Sequence, residues 1–215
     1  MKAKLKVVAI MAVCFCALSF CARPAQATLI TIAIEAEIYS VGDPYNFFGG
    51  NIKVGDIIKG SYSYDTDTPD SSPSVTVGRY EYSPPHTHGI FLSISGFDFE
   101  TDMSNVDFRI DIFNDSISGS DAYGLISYSN LPLVSGTNVD VIWWWLEDYS
   151  ATALTSDALS TKAPDIDVWQ FNRLMIHGPD RGKSFSIEAH VISAIPEPGT
   201  ILLLGLGTML LRKRR

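Results

Sequence analysis

Residues 29–39 alternate apolar and polar side chains with scarcely a break. Ile30, Ile32, Ile34, Ala36 and Ile38 form one set, and Thr31, Glu35 and Glu37 the other. A period of two cannot place one continuous stripe on a helix. It does place one set on each face of a strand, with one face against a core and the other toward water. The same pattern recurs along the chain. Val106, Phe108, Ile110 and Ile112 alternate with Asp107, Arg109 and Asp111; Ile90, Leu92 and Ile94 alternate with Ser93 and Ser95; and Phe185, Ile187, Ala189 and Val191 close the series. Further strands are expected over residues 56–65, 75–82, 123–129, 139–146 and 168–176. About nine strands punctuated by Gly, Pro, Asp and Ser, with no helix of core length, predict an all-β, antiparallel β-sandwich or jelly-roll-like domain. Two polar, broken stretches, residues 66–74 and 150–165, read as exposed loops.

The two ends do not fit that pattern. Lys2, Lys4 and Lys6 precede an apolar run over residues 7–20, and Ala25 and Ala27 stand at the −3 and −1 positions of a signal-peptidase site. This is the composition of a cleavable signal peptide, residues 1–27, with the mature chain starting at Thr28. Phe20 stands where a lipobox requires a small residue, so Cys21 is not taken as a lipidation site. Cys14, Cys16 and Cys21 all fall in this leader, which leaves the mature chain without a disulfide, a thiolate nucleophile or a cysteine metal site. At the other end, residues 199–211 are apolar apart from Thr200 and Thr208, and Arg212, Lys213, Arg214 and Arg215 follow. As a helix this run is about 20 Å long, against a hydrocarbon core of about 30 Å. It predicts one short transmembrane helix with its basic tip held in the cytoplasm.

The charges sharpen the division. Of sixteen bases, eight lie in the leader and the tip; the other eight stand against twenty-four acids, all of them between Glu35 and Glu197. A body this acidic repels nucleic acid, which is excluded as a partner, and stays soluble outside the cell. The chain therefore divides into a signal peptide (1–27), an exported β domain (28–194) and a C-terminal segment (195–215).

That last segment carries a resemblance. Pro196-Glu197-Pro198, then a short hydrophobic stretch, then Arg212-Lys213-Arg214-Arg215, resembles the PEP-CTERM sorting signal. The resemblance implies a Gram-negative bacterial protein handed to an exosortase, a membrane protease-transferase, in the company of exopolysaccharide synthesis. It makes Pro196, Glu197 and Pro198 recognition residues of a substrate. The prolines suit this, since they keep the membrane helix from extending outward and leave extended backbone for a protease. The block Gly60–Asp70, GSYSYDTDTPD, also resembles a stretch of exported proteins of this kind, and brings no activity with it.

Candidate sites within the body are few. Asp65, Asp67 and Asp70 form an acidic loop of a kind that can hold calcium, but the Gly and Glu of an EF-hand are missing, and an acidic turn is the plainer reading. Calcium is the cofactor that this loop raises. His86 and His88, two residues apart, could share a metal on a strand; spacing marks no third ligand, and an exposed turn is the plainer reading. Trp143, Trp144 and Trp145 lie in one strand, so alternation sends Trp144 to one face and Trp143 with Trp145 to the other. Exposed indoles stack on sugar rings; a strand covered on both faces would bury all three. Residues 177–184 imitate a phosphate loop with one residue too few and are expected to be a turn between strands. No nucleophile elbow is present.

The expected function is that of an exported, exosortase-sorted surface or matrix protein, not an enzyme, associated with exopolysaccharide or biofilm. Signal peptidase and exosortase would be its processing enzymes and the inner membrane a transient stop. The alternatives are a carbohydrate-active hydrolase or lyase using acidic residues in a cleft, and a calcium-stabilised adhesin.

Overall fold

The computed structural model describes residues 29–117, 119–179 and 184–197. The expected signal peptide with Ala25 and Ala27, Pro198, the expected membrane helix and the tip Arg212 to Arg215 lie outside the described residues. Among those described, ten strands account for nearly all regular structure: β1 (Leu29–Gly42), β2 (Ile57–Asp65), β3 (Val77–Tyr82), β4 (Ile90–Ile94), β5 (Phe97–Glu100), β6 (Phe108–Ile117), β7 (Ser120–Ser127), β8 (Val141–Asp148), β9 (Phe171–His177) and β10 (Ser186–Pro196). A single 3-10 turn covers Ile166–Val168. All pairings are antiparallel, as the alternation predicts, and the strands form one sheet in the order β3-β6-β7-β8-β9-β10-β1-β2-β4-β5.

That order forces the sheet to curl. β3 and β4 are separated by eight strand spacings, about 38 Å across a flat sheet. The link between them is residues 83–89, whose fully extended reach is about 29 Å. The link from β5 to β6, residues 101–107, faces the same span. Neither could be closed on a flat sheet, so the two edges approach each other. Thr101 and Asn130 form a bridge across the gap, with Asp102 N–H donating to Ser129 O (2.9 Å) and Leu131 N–H to Glu100 O (2.9 Å). Thr101 itself is wholly buried; its Oγ1 accepts from Ile90 N–H and lies 2.8 Å from Ser127 Oγ.

The concave face is the core. Ile32, Ile34, Ala36 and Ile38 of β1 point inward, joined by Ile142, Trp144 and Leu146 of β8, Leu174 and Ile176 of β9, and Ile187, Ala189 and Val191 of β10, all buried. Five tyrosines, Tyr62, Tyr64, Tyr80, Tyr82 and Tyr123, are also buried. A buried phenol needs a partner, and these find theirs at the open end of the curl. Tyr64 donates to Ser160 O (2.6 Å), Tyr80 to Asp157 O (2.9 Å) and Tyr82 to Asp65 O (3.2 Å), while Tyr123 donates to Tyr62 Oη (3.1 Å). The 150–165 loop is thus hydrogen-bonded to the core that it covers. Burial raises the Tyr82 phenol to about 12, so these groups stay protonated donors.

β5 is the strand that sequence patterning missed. It has four residues, paired with β4 through Ser95 and Gly96, whose φ angles of 51° and 82° make the two-residue hairpin turn that matches strand twist.

Candidate functional site

β8 is the strand on which the three consecutive tryptophans separate. Trp144 points into the core with no exposure, its Nε1 donating to Asn172 Oδ1 (3.2 Å) and its ring edge-on to Tyr62 and Tyr123 at 5.9 Å each. Trp143 and Trp145 lie on the convex face, half-buried, with ring centroids 5.8 Å apart and planes inclined by 36°. Trp145 is paired with Gly124 of β7, and its ring lies flat across that residue: a Cβ there would stand 2.5 Å from Cζ3 and 2.7 Å from Cε3. Only glycine leaves room for this pose. Beyond it Phe113 meets Trp145 at 5.6 Å.

The rings floor a shallow basin whose polar rim comes from β3 and β6. Asp111 is 2 % exposed although it stands on the convex face. Arg79 Nε donates to its Oδ1 (2.9 Å), and Arg109 Nε lies 2.7 Å from its Oδ2. A carboxylate in this position is held by two guanidinium groups and is sheltered by their planes. On the other flank Arg173 stands opposite Trp145 and pairs with Glu188 (2.8 Å), which in turn accepts from Tyr39 Oη (2.8 Å); Tyr39 stacks on His190 at 4.3 Å. Every arginine among the described residues therefore lies on this face. In a body with three acids to each base, that is a marked segregation.

Alternation alone partitions the tryptophans and puts Arg109 and Asp111 on a polar face. It does not reveal that β6 and β8 flank β7, where a glycine lets them share one surface. Gly124 inside a strand was the available signal, since an interior glycine marks a close approach.

The other candidates lie elsewhere. Asp65 and Asp70 serve their own loop: Asp65 Oδ1 accepts from Asp67 N–H (2.9 Å), and Asp70 Oδ1 from Ser72 N–H and Arg79 N–H (2.8 Å each). His86 and His88 stack at 5.9 Å beside Tyr82, and burial, followed by the neighbouring His86, lowers the pKa of His88. Among the described residues, no three His, Cys, Asp or Glu side chains gather as a metal-holding group. Pro196 ends β10, paired with Ile32 of β1, and Glu197 N–H donates to Thr31 O (2.9 Å), so the sheet runs two residues into the segment assigned to sorting.

Comparison with known proteins bears on that end of the chain. No curated protein and no solved structure matches the sequence. Residues 194–215 do match the PEP-CTERM protein-sorting motif, and the chain is on that ground an exosortase-sorted, exported protein of the cell envelope or surface.

Proposed function

We propose that this is a non-enzymatic surface or extracellular-matrix protein whose convex sheet face binds secreted polysaccharide. The observation that carries the reading is the pair Trp143 and Trp145, side by side and half-exposed while Trp144 alone fills the core. An indole face accepts the C–H face of a sugar ring, and planar charged groups beside it bond the hydroxyls around the ring edge. Arg79, Arg109 and Asp111 supply such groups next to the indoles. The route to the surface follows the ends of the chain: a signal peptide cut after Ala27, a transient stop in the inner membrane of a Gram-negative cell, and processing of the tail by the exosortase. The destination is the exopolysaccharide or biofilm matrix.

Hydrolysis of the same ligand would need two carboxyl groups at a fixed separation. Among the described residues lining the basin the one acid is Asp111, buried and held by two arginines, which favours binding over turnover. Electrophoresis of the mature protein through gels containing the host's own exopolysaccharide tests the reading. Retention that is lost in the double variant Trp143→Ala/Trp145→Ala is expected. Unretarded migration of the wild type would overturn binding, and release of reducing ends by the wild type would restore the hydrolase.

A further inference from the structure

The two buried tryptophans differ at their one polar atom. Trp144 Nε1 donates to Asn172 Oδ1 (3.2 Å). Trp169 is 8 % exposed, its Nε1 is shut off from solvent, and no acceptor among the described residues meets it. A buried indole N–H ordinarily finds a partner, because leaving it unbonded forfeits its hydration for nothing. The surroundings of the ring must therefore account for the unmet donor.

Those surroundings are a cavity of about 210 Å³ between the open end of the curl and the 150–165 loop, with Trp169 in its wall. Tyr64, Ile112 and Tyr123 line it from three strands of the core, and Leu154 and Leu159 line it from the loop. Hydrogen bonds at intervals hold the loop off this space. Leu154 N–H donates to Asp121 Oδ2 (2.8 Å), Tyr80 Oη to Asp157 O and Tyr64 Oη to Ser160 O. The phenols are thereby used up as donors, since Tyr123 is engaged with Tyr62 Oη. Among the described residues lining the cavity, the buried side-chain donor left over is Trp169 Nε1. One base and one acid, Lys162 and Asp165, are exposed at the margin, so the entrance favours neither sign of charge.

An apolar cavity with one placed polar group is the form of a small-molecule site. An apolar cavity of about 150 Å³ holds benzene, so this one has room for a single ring with a short substituent. A carbonyl group would bring the acceptor that the indole lacks without a proton of its own to satisfy. We propose that the cavity binds a small neutral molecule, an apolar ring bearing a carbonyl oxygen that accepts from Trp169 Nε1. The site lies under the loop at the open end of the curl, whereas Trp143 and Trp145 lie on the convex face, and it is independent of sugar binding.

Nitrogen–proton correlation NMR of the mature protein tests it, because each tryptophan gives its own indole peak. Acetophenone is expected to move the Trp169 peak downfield, saturably, and to leave those of Trp143 and Trp145 in place. In Trp169→Phe, which keeps a ring and removes the N–H, the methyl peaks of Leu154 and Leu159 are expected to report acetophenone binding about fivefold weaker. Toluene, which has no acceptor, should bind the two proteins equally. Ala163→Leu, which fills the cavity from the loop, is the second arm and decides the matter if Trp169→Phe fails to fold; it is expected to abolish the Trp169 shift. A wild-type Trp169 peak that does not respond overturns the proposal, as does a full response in Ala163→Leu. Equal acetophenone affinity in folded Trp169→Phe, or an equal loss for toluene, overturns the hydrogen bond and the proposal with it. Shifts confined to Trp143 and Trp145 would do the same by moving the ring to the convex basin.

Discussion

On β8, Trp144 and its two neighbours share a residue type, a strand and nearly the same position, yet they meet different surroundings. Trp144 is packed edge-on between Tyr62 and Tyr123, from strands far apart in the sequence, and its one polar atom is bonded. Trp143 and Trp145 meet a floor of glycine, Phe113 and Met175 and a rim of arginines, with one face of the indoles left to solvent. The difference shows that the sheet spends its aromatic residues on two tasks. On the concave side they hold the curl closed; on the convex side they add little to closure and are available to a ligand. If that separation is real, substitutions on the two faces will divide cleanly between stability and binding.

The largest effect is expected at Trp144. Truncation to alanine empties a fully buried site and removes an edge-to-face partner from two tyrosines, at about 3–5 kcal/mol. For a body of this size that lowers the melting temperature by about 10 °C or more. Calorimetry of Trp144→Ala decides it; a shift comparable to that of Trp143→Ala would mean that the two faces are not distinct. The reciprocal experiment is Trp143→Ala/Trp145→Ala. Half-exposed rings contribute less to folding, about 1–2 kcal/mol together, whereas losing two aromatic anchors weakens polysaccharide retention by about 10- to 100-fold. A double variant that binds normally while melting far lower would reverse the assignment of the faces.

How far the sequence foretold this can be stated strand by strand. β1, β6 and β10 were legible because each alternates over enough residues to bury one complete face. β5 was not, since Phe97 and Phe99 give only two apolar positions and a strand that short has no period to read. The partition of the tryptophans was legible, but which set is core depends on partners. β3 pairs with β6 and β10 with β1, and these are contacts between segments remote in the chain that no local pattern encodes. The rim of the basin was hidden for the same reason: Arg79 and Arg109 meet at Asp111 only because β3 crosses to the far edge of the sheet.

A smaller effect separates pose from composition. Gly124→Ala leaves every aromatic residue in place but drives a methyl into the ring of Trp145, which must tilt. Overpacking of this kind costs about 1–3 kcal/mol where the ring cannot move and less where it can. Because one side of Trp145 is open, the lower end is expected for stability, with a several-fold loss of retention as the platform is broken. Normal retention in Gly124→Ala would show that the two indoles act separately rather than as one surface.

The last effect, and the most conditional because it emerges only in acid, comes from the end of the inner row of β8. Ile142, Trp144 and Leu146 are followed at the same alternation by Asp148, which is also buried. Its carboxylate accepts from the Ser150 hydroxyl and N–H, from Thr152 N–H (2.7 Å) and hydroxyl, and from Ala153 N–H (2.9 Å), so it fastens the loop that covers the open end of the curl. These donors, the Ser150 hydroxyl first and then Thr152 N–H, hold the carboxyl well below the ordinary carboxylate range. A folded-state pKa below the unfolded one gives stability that is fully present above about pH 4–5 and drains away as pH falls toward the folded value, because the unfolded chain takes up the proton first. Melting temperature should therefore be nearly level from pH 7 to 5 and fall below it, with a shallower fall in Asp148→Asn, which carries no such proton. An equal slope in the variant would shift the acid response to other carboxylates and leave Asp148 as a spatial, not electrostatic, tie between the core row and its covering loop.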